Sequence, residues 1–488
     1  MNVNNQLQKS KKAEVEKPHA NIELRSFITV VCILTGLLFL SGFLSYIIPQ
    51  GHFSRGEDGT IILESFVKGE KNGIAVWRVL TAPFRVFFSE DAVTIIMICV
   101  FLMVMSGVFH LIEKTDGTKI VIGRLIHRMA NKGTPVVCLC VLIFMLFGSF
   151  FGMYEELITL LPLIILFMLS LGMDTMTGLG ACLLAACFGF SAAITNPFSV
   201  GLAAEVAGVS LQSGMWLRIV FFGIIYLTLC CFLLLHLKRI AKDPKLSPTY
   251  ESDLLKRQNA PTVTESELHT PHSDKIFKVF TVFFAVQGII LVLIASIRAI
   301  SGLAIPILAA SFLIGSIIAG LLVTKRWRDP FIYIARGACA MLPAVVMIAI
   351  ASSVKLVMTE SGIMDTIMHY LIHLLDGKSR FVTILLVYLL ILVLQFFIGS
   401  ASAKIMLVMP IVVPICASVG ISPSMVILAY CMADGFSDVI IPTNPILLVA
   451  LSISGVSYGK WVKWTWKLQL FLLGLTALIL LFATGIGY

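Results

Sequence analysis

Charge is scarce in this chain. Only 13% of its 488 residues are Asp, Glu, Lys or Arg, whereas 58% are hydrophobic. A soluble globular protein has roughly 25% charged and 45–50% apolar residues, so that class is excluded. The 36 Lys and Arg against 27 Asp and Glu leave a net charge of +9. In a soluble chain that excess would suggest nucleic acid, but here it first raises the question of membrane sidedness, and no nucleic-acid partner is expected. The chain has no P-loop, which disfavours coupling to ATP hydrolysis. No C-x-x-C pair occurs among the 11 cysteines, so zinc and dithiol chemistry are not indicated. Most cysteines, such as Cys138, Cys140, Cys182, Cys187, Cys230 and Cys231, lie inside apolar runs as small hydrophobes. The first apolar run, Phe27 to Ile48, is long for a signal h-region and lacks an A-x-A site, so it reads as a retained helix.

What remains is a chain made for a bilayer. A helical crossing needs about 20 apolar residues, so this length leaves room for around ten. The positive charge then sets sides. Lys9, Lys11, Lys12, Lys17 and Arg25 put the tail 1–25 in the cytoplasm, and residues 50–76 carry the mixed charge of an outer loop. Lys114, Lys119, Arg124, Arg128 and Lys132 mark an inner amphipathic arm after a span at about 91–112. Residues 237–275 open with Lys238, Arg239, Lys242 and Lys245, contain four prolines and show no apolar period, which suggests a cytoplasmic linker. A connecting helix, 276–300, follows it. The expected product is a multi-pass protein of the inner (plasma) membrane, with its N-terminus cytoplasmic and its C-terminus outside.

The chain also repeats itself. Gly148-Ser149 recurs as Gly399-Ser400, and Thr195-Asn196-Pro197 as Thr443-Asn444-Pro445. Gly208-Val209-Ser210 recurs as Gly455-Val456-Ser457, and Leu125-Ile126-His127 as Leu371-Ile372-His373. Four matches in one order at nearly one offset divide the chain into repeats 26–236 and 301–488. Because the connecting helix is extra, the second copy starts on the opposite side. An inverted-topology repeat of this kind is a common plan of secondary transporters, with the site at the repeat interface. Stretches 134–173 and 382–420 enter and leave on one face, as re-entrant hairpins interrupted at Gly148-Ser149 and Gly399-Ser400. Segments 176–208 and 422–454 break at Thr-Asn-Pro, where asparagine suits an N-cap and proline the next position. The expected fold is an all-α polytopic membrane protein with two hairpins and two broken helices. Unwound backbone at that depth survives only when buried in protein or lining a cavity.

Two sets of residues are chemical candidates. Thr195, Asn196, Thr443 and Asn444, with the carbonyls of the unwound turns, suit a small cation such as sodium. The N–H groups of the restarted helices suit a substrate carboxylate. Ionisable residues at depth form the second set: Glu155 and Glu156 after the first hairpin tip, Lys404 after the second, and Asp434 and Asp438 one turn apart. Each would cost about 2.5–3.5 kcal/mol facing lipid, so each should face protein, substrate or ion. A purely structural Lys404–carboxylate pair is the alternative for that residue. His369 and His373 have metal-compatible spacing but no third ligand, so they read as a solvated face. Trp461, Trp464 and Trp466 beside Lys460, Lys463 and Lys467 read as an interfacial anchor, and Asp174 as an exposed loop residue.

The run Gly148-Ser-Phe-Phe-Gly-Met-Tyr-Glu-Glu156, the run Ile194-Thr-Asn-Pro-Phe198, Asp434-Gly-Phe-Ser-Asp438 and Pro442-Thr-Asn-Pro445 resemble the YfcC-like branch of the C4-dicarboxylate anaerobic carrier family. The likeness runs from about 25 to 486. It implies the ion transporter superfamily: homodimers in which a transport domain moves against a scaffold as an elevator. Carried over by residue, it points to Ser149, Glu156, Thr195, Asn196, Ser400, Ser402, Thr443 and Asn444. This chain departs from sodium–dicarboxylate relatives, whose tips carry a Ser-Asn-Thr triplet. The reading is a secondary transporter, not an enzyme, of a small carboxylate-bearing metabolite, either a C4-dicarboxylate or an amino acid. Coupling would be to sodium or protons, or by exchange, and no cofactor is expected. A basic amino-acid antiporter of the arginine/ornithine type is the alternative, with Glu155, Glu156, Asp434 and Asp438 holding the cationic end. A membrane enzyme or a channel is the rival from another class.

Overall fold

The computed structural model describes residues 24–54, 65–70, 72–117, 120–121, 124, 133–158, 160–259, 270–296, 304–373, 375 and 377–488. The inner arm at 119–132 and the matching tripeptide Leu125-Ile126-His127 lie almost wholly outside these. So does the polar tail.

Almost everything described is helix, because long runs of Leu, Ile, Val, Ala and Phe can satisfy their backbone only internally once in lipid. In chain order the helices are α1 (Leu24–Ile47), α2 (Val76–Arg85), α3 (Ala92–Lys114) and α4 (Gly133–Phe151, whose last turn is wide). After the turn Glu155–Ile158 come α5 (Leu161–Ser170), α6 (Thr175–Ser191), α7 (Pro197–Val206) and α8 (Met215–Lys242). Then follow α9 (Tyr250–Asn259), α10 (Pro271–Ser296), α11 (Ala304–Val323), α12 (Asp329–Ala340), α13 (Leu342–Glu360) and α14 (Ile363–His373). The chain closes with α15 (Arg380–Gln395), α16 (Ala401–Ser418), α17 (Pro423–Asp438), α18 (Pro445–Ser454) and α19 (Tyr458–Gly485). Seven helices among the described residues are long and apolar enough to cross a membrane, which makes this an integral membrane protein. An interrupted helix pair, a helix broken at Thr-Asn-Pro and a long closing helix occur once in each half.

Small residues set the closest packing. Ser106 in α3 donates to the Gly337 carbonyl of α12 at 2.8 Å, and a Cβ at Gly107 would lie 2.6 Å from the Ile334 carbonyl oxygen. Such backbone contact between helices in lipid depends on glycine and serine. α1, α3, α11, α12 and α13 pack together, as do α4, α6, α15, α17 and α19, and α13 meets α18 between the two groups.

Four local expectations change. Residues 237–275 are not wholly a linker: α8 runs to Lys242, α9 is ordered, and α10 begins at Pro271. The strap formed by residues 243–259 docks through Asp253, which is 4% exposed and accepts from the Thr175 amide at 2.9 Å and from the Thr249 hydroxyl at 2.6 Å. Lys256 donates to Thr175 Oγ1 at 3.0 Å and to the Ser454 carbonyl at 2.7 Å. Asp174 is buried rather than exposed: it caps α6 through Thr177 and accepts from Ser247 at 2.6 Å, and His236 lies 2.8 Å away. Burial pushes its carboxyl up, but the hydrogen bonds from His236, Ser247 and Thr177 hold it down at about 2.

The tryptophans divide. Trp461 has no exposed surface and donates to the Val439 carbonyl at 2.6 Å, and Trp464 donates to His236 at 3.2 Å. Only Trp466, 43% exposed beneath Lys467, has the position of an anchor. His369 is not on a solvated face, because Phe66 stacks on its ring at 3.9 Å, beside the short pairing of β1 (Gly51–His52) and β2 (Val67–Lys68). No group of three or more metal-binding side chains occurs among the described residues.

Candidate functional site

Each Thr-Asn-Pro break is built alike. In the first, Asn196 Oδ1 accepts the Phe198 amide at 2.9 Å, so the side chain caps α7 and Pro197 takes the position needing no N–H donor. In the second, Asn444 Oδ1 accepts the amides of Ile446 at 2.9 Å and Leu447 at 3.4 Å. The preceding threonine ties each break to the tip of its own helix pair. Thr195 donates to the Phe150 carbonyl at 3.2 Å and Thr443 to the Phe396 carbonyl at 2.9 Å.

The two tips are not alike. At the first, the Ser149 carbonyl accepts the amides of Ile194, Thr195 and Asn196 at 3.1–3.3 Å. Its hydroxyl donates to the Ala192 carbonyl at 2.6 Å, so one fully buried serine satisfies most of the unwound turn. Gly152 follows at φ +69°, and a Cβ there would lie 2.2 Å from Asn196 Oδ1. At the second tip, nothing lies within 4 Å of where a Gly399 Cβ would stand. Ser400 is exposed and caps α16 only through a 3.4 Å bond from the Ala403 amide. Ser402 crosses to the first half, donating to the Phe198 carbonyl at 3.4 Å.

A cavity of about 320 Å³ opens between this second tip, the restart of α18 and the facing wall of α3 and α13. Glu155, Ser400, Ser402, Asp438, Thr443 and Asn444 line it. Ser149, Thr195, Asn196, Lys404 and Asp434 do not. Ser149 and Asn196 are sealed behind the first tip, and Asn196 Nδ2 is buried with no partner among the described residues. Lys404 and Asp434 pair at 2.5 Å with 0% and 1% of their side chains exposed. Glu156 lies in a helical turn, but its side chain falls outside the described residues.

Three lining groups were not anticipated. Lys355, in the last third of α13, pairs with Asp91 at the entry to α3 at 2.6 Å, and both line the cavity. Tyr154 also lines it, and Asn444 Nδ2 donates to its oxygen at 3.5 Å and to the Asp438 carbonyl at 3.2 Å. Lys355 carries the same signal as Lys404, a lone lysine inside an apolar run, and could have been found by it. Around the cavity stand three carboxylates, Asp91, Glu155 and Asp438, against one lysine.

Residues 24–485 match the family described as DcuC, C4-dicarboxylate anaerobic carrier. A relative from Escherichia coli (strain K12), named "Putative basic amino acid antiporter YfcC", is 26% identical over 411 residues, covering 81% of this chain and 79% of its own. An uncharacterised Haemophilus influenzae protein is 28% identical over 382 residues, covering 77% and 72%. Among solved structures, the Alcanivorax borkumensis YdaH transporter covers 95% of this chain and 98% of its own at 17% identity and a TM-score of 0.43. Neisseria gonorrhoeae MtrF covers 95% and 96% at 15% identity and the same TM-score.

Proposed function

The chain belongs to the C4-dicarboxylate anaerobic carrier family, and from that premise we propose that it exchanges amino acids bearing a cationic side chain across the membrane. The cavity's charge carries this reading. Three carboxylates and one lysine repel a dicarboxylate but suit a solute with two cationic groups and one carboxylate. Lys355 on α13 is the group for the substrate carboxylate. Glu155 and Asp438, at the other wall, take the ammonium or guanidinium end. The name of the Escherichia coli relative agrees with this choice.

Transport in this proposal is by elevator. The two halves form an inverted repeat, with α4–α5 and α15–α16 as re-entrant hairpins and α6–α7 and α17–α18 as broken helices. These, with α8 and α19, move as a body against a scaffold of α1–α3 and α10–α13. The N-terminus is cytoplasmic, the C-terminus is outside, and two copies join through the scaffold. Sodium finds less support as the coupling ion, since the side-chain oxygens of Asn196 and Asn444 already accept helix amides and neither Thr195 nor Asn196 lines the cavity.

Counterflow in proteoliposomes tests the substrate class. Liposomes preloaded with ornithine should accumulate labelled arginine, and those preloaded with succinate should not. Gradient-driven succinate uptake without arginine exchange would overturn the assignment. For the elevator, a cysteine at position 402 should react from one face without substrate and from the other with it, and reactivity confined to one face throughout would exclude that motion.

A further inference from the structure

One feature of the cavity floor is not explained by substrate binding alone. On α17, Asp434 and Asp438 stand one turn apart, and Lys404 on α16 is their shared cation. Lys404 gives its hydrogen bond to Asp434. Among the described residues no ion pair reaches Asp438; Gln395, at the end of α15, donates to its Oδ1. Tyr154 and Cys187 of the first half and Tyr430 of α17 face it, Asn444 of α18 donates to its backbone carbonyl and also reaches its carboxyl group, and Glu155 adds negative charge nearby. Two buried acceptors beside it, Asp434 Oδ2 and Gln395 Oε1, have no partner among the described residues. The side chains of both residues are almost wholly buried.

A carboxylate of this kind cannot stay bare when its helix pair crosses the membrane, and unpaired acceptors call for a donor. A proton meets both needs, because it neutralises Asp438 and turns it into an O–H donor toward those acceptors. We propose that Asp438 is the coupling carboxylate of the transporter, occupied alternately by the cationic group of the substrate and by one proton. This rests on the cationic-substrate reading above. When substrate leaves, Asp438 takes one proton from that side, and the neutral site crosses; the proton is released on the other side as the next substrate binds. One positive charge travels in each direction, so the cycle is electroneutral and a proton can stand in for the counter-substrate.

The test uses the full-length protein in liposomes containing a pH dye. Adding ornithine outside wild type should make the lumen more alkaline, and a potassium-set membrane potential should not change the rate. Apparent affinity for ornithine should fall with acidity, by at most about tenfold per pH unit for a single competing proton. Asp438→Asn should exchange arginine for ornithine more slowly and without the pH signal, and Asp438→Glu should restore the signal. Monodisperse elution of both variants separates this from misfolding. Arginine–ornithine counterflow with no proton movement, or a proton signal unchanged in Asp438→Asn, would overturn the coupling proposal alone. A strict sodium requirement would do the same. Absence of counterflow for every cationic amino acid would overturn the substrate reading and this proposal with it.

Discussion

The two helix-pair tips share a sequence motif but do opposite work. Gly148-Ser149 is packed shut: a Cβ at Gly148 would lie 2.3 Å from the Ala186 oxygen and 2.7 Å from the Phe190 nitrogen, and Ser149 is consumed by the break it faces. Gly399-Ser400 stands at the cavity edge with open space beside it. The same Gly-Ser pair thus acts as a clamp at one tip and lines the open cavity at the other. A motif's recurrence shows where the chain must unwind, but the packing of each copy decides whether its polar groups remain free for a ligand.

The contrast can be broken experimentally. The largest effect should come just below the open tip, where Lys404 and Asp434 are sealed. Removing one partner strands a buried charge, so Lys404→Ala should cost about 3–5 kcal/mol and lower the yield of folded protein in detergent. If Lys404→Ala folded normally, the boundary between open tip and sealed core would have to move deeper. Next, Gly148→Ala should cost at least about 1–3 kcal/mol, because both obstructing atoms are backbone, while Gly399→Ala should leave the melting temperature unchanged. Equal melting shifts would erase the distinction. At the serines, Ser149→Ala should lower stability by about 1–3 kcal/mol. Ser400→Ala should cost at most about 1 kcal/mol but raise the KM for exchange. The smallest effect concerns pH: with Asp174 held at about 2 against an ordinary 3.8, its contribution is complete above pH 4 and is lost as pH falls toward 2. Asp174→Asn should flatten the acid limb of a thermal-stability profile over that window, and an unchanged limb would remove Asp174 from it.

How much of this was legible follows from the range of each interaction. Helix breaks at Asn196 and Asn444 are local, because the cap bonds span two or three residues, and the repeat made them conspicuous. The sealing of Ser149 was not legible, since its hydroxyl partner lies 43 residues away and the matching Ser400 has none like it. Asp174 looks exposed in sequence because its partners His236 and Ser247 are 62 and 73 residues distant. Lys355 carries a local signal, a lone lysine in an apolar run, but its place in the cavity wall depends on Asp91, 264 residues earlier.

The strap carries a consequence for how the chain is made. Lys256 holds the start of α6, in the first half, and the end of α18, in the second, yet Ser454 follows it by 198 residues. At about 5–20 residues per second, the ribosome delivers that carbonyl some 10–40 s after the lysine. During that interval the first half must persist beside the translocon with Lys256 held by Thr175 and neighbouring Asp253 but lacking its partner in the second half. The bond to Ser454 is therefore a closing step, formed only when both halves have been inserted. A chain stalled before residue 454 lacks that latch.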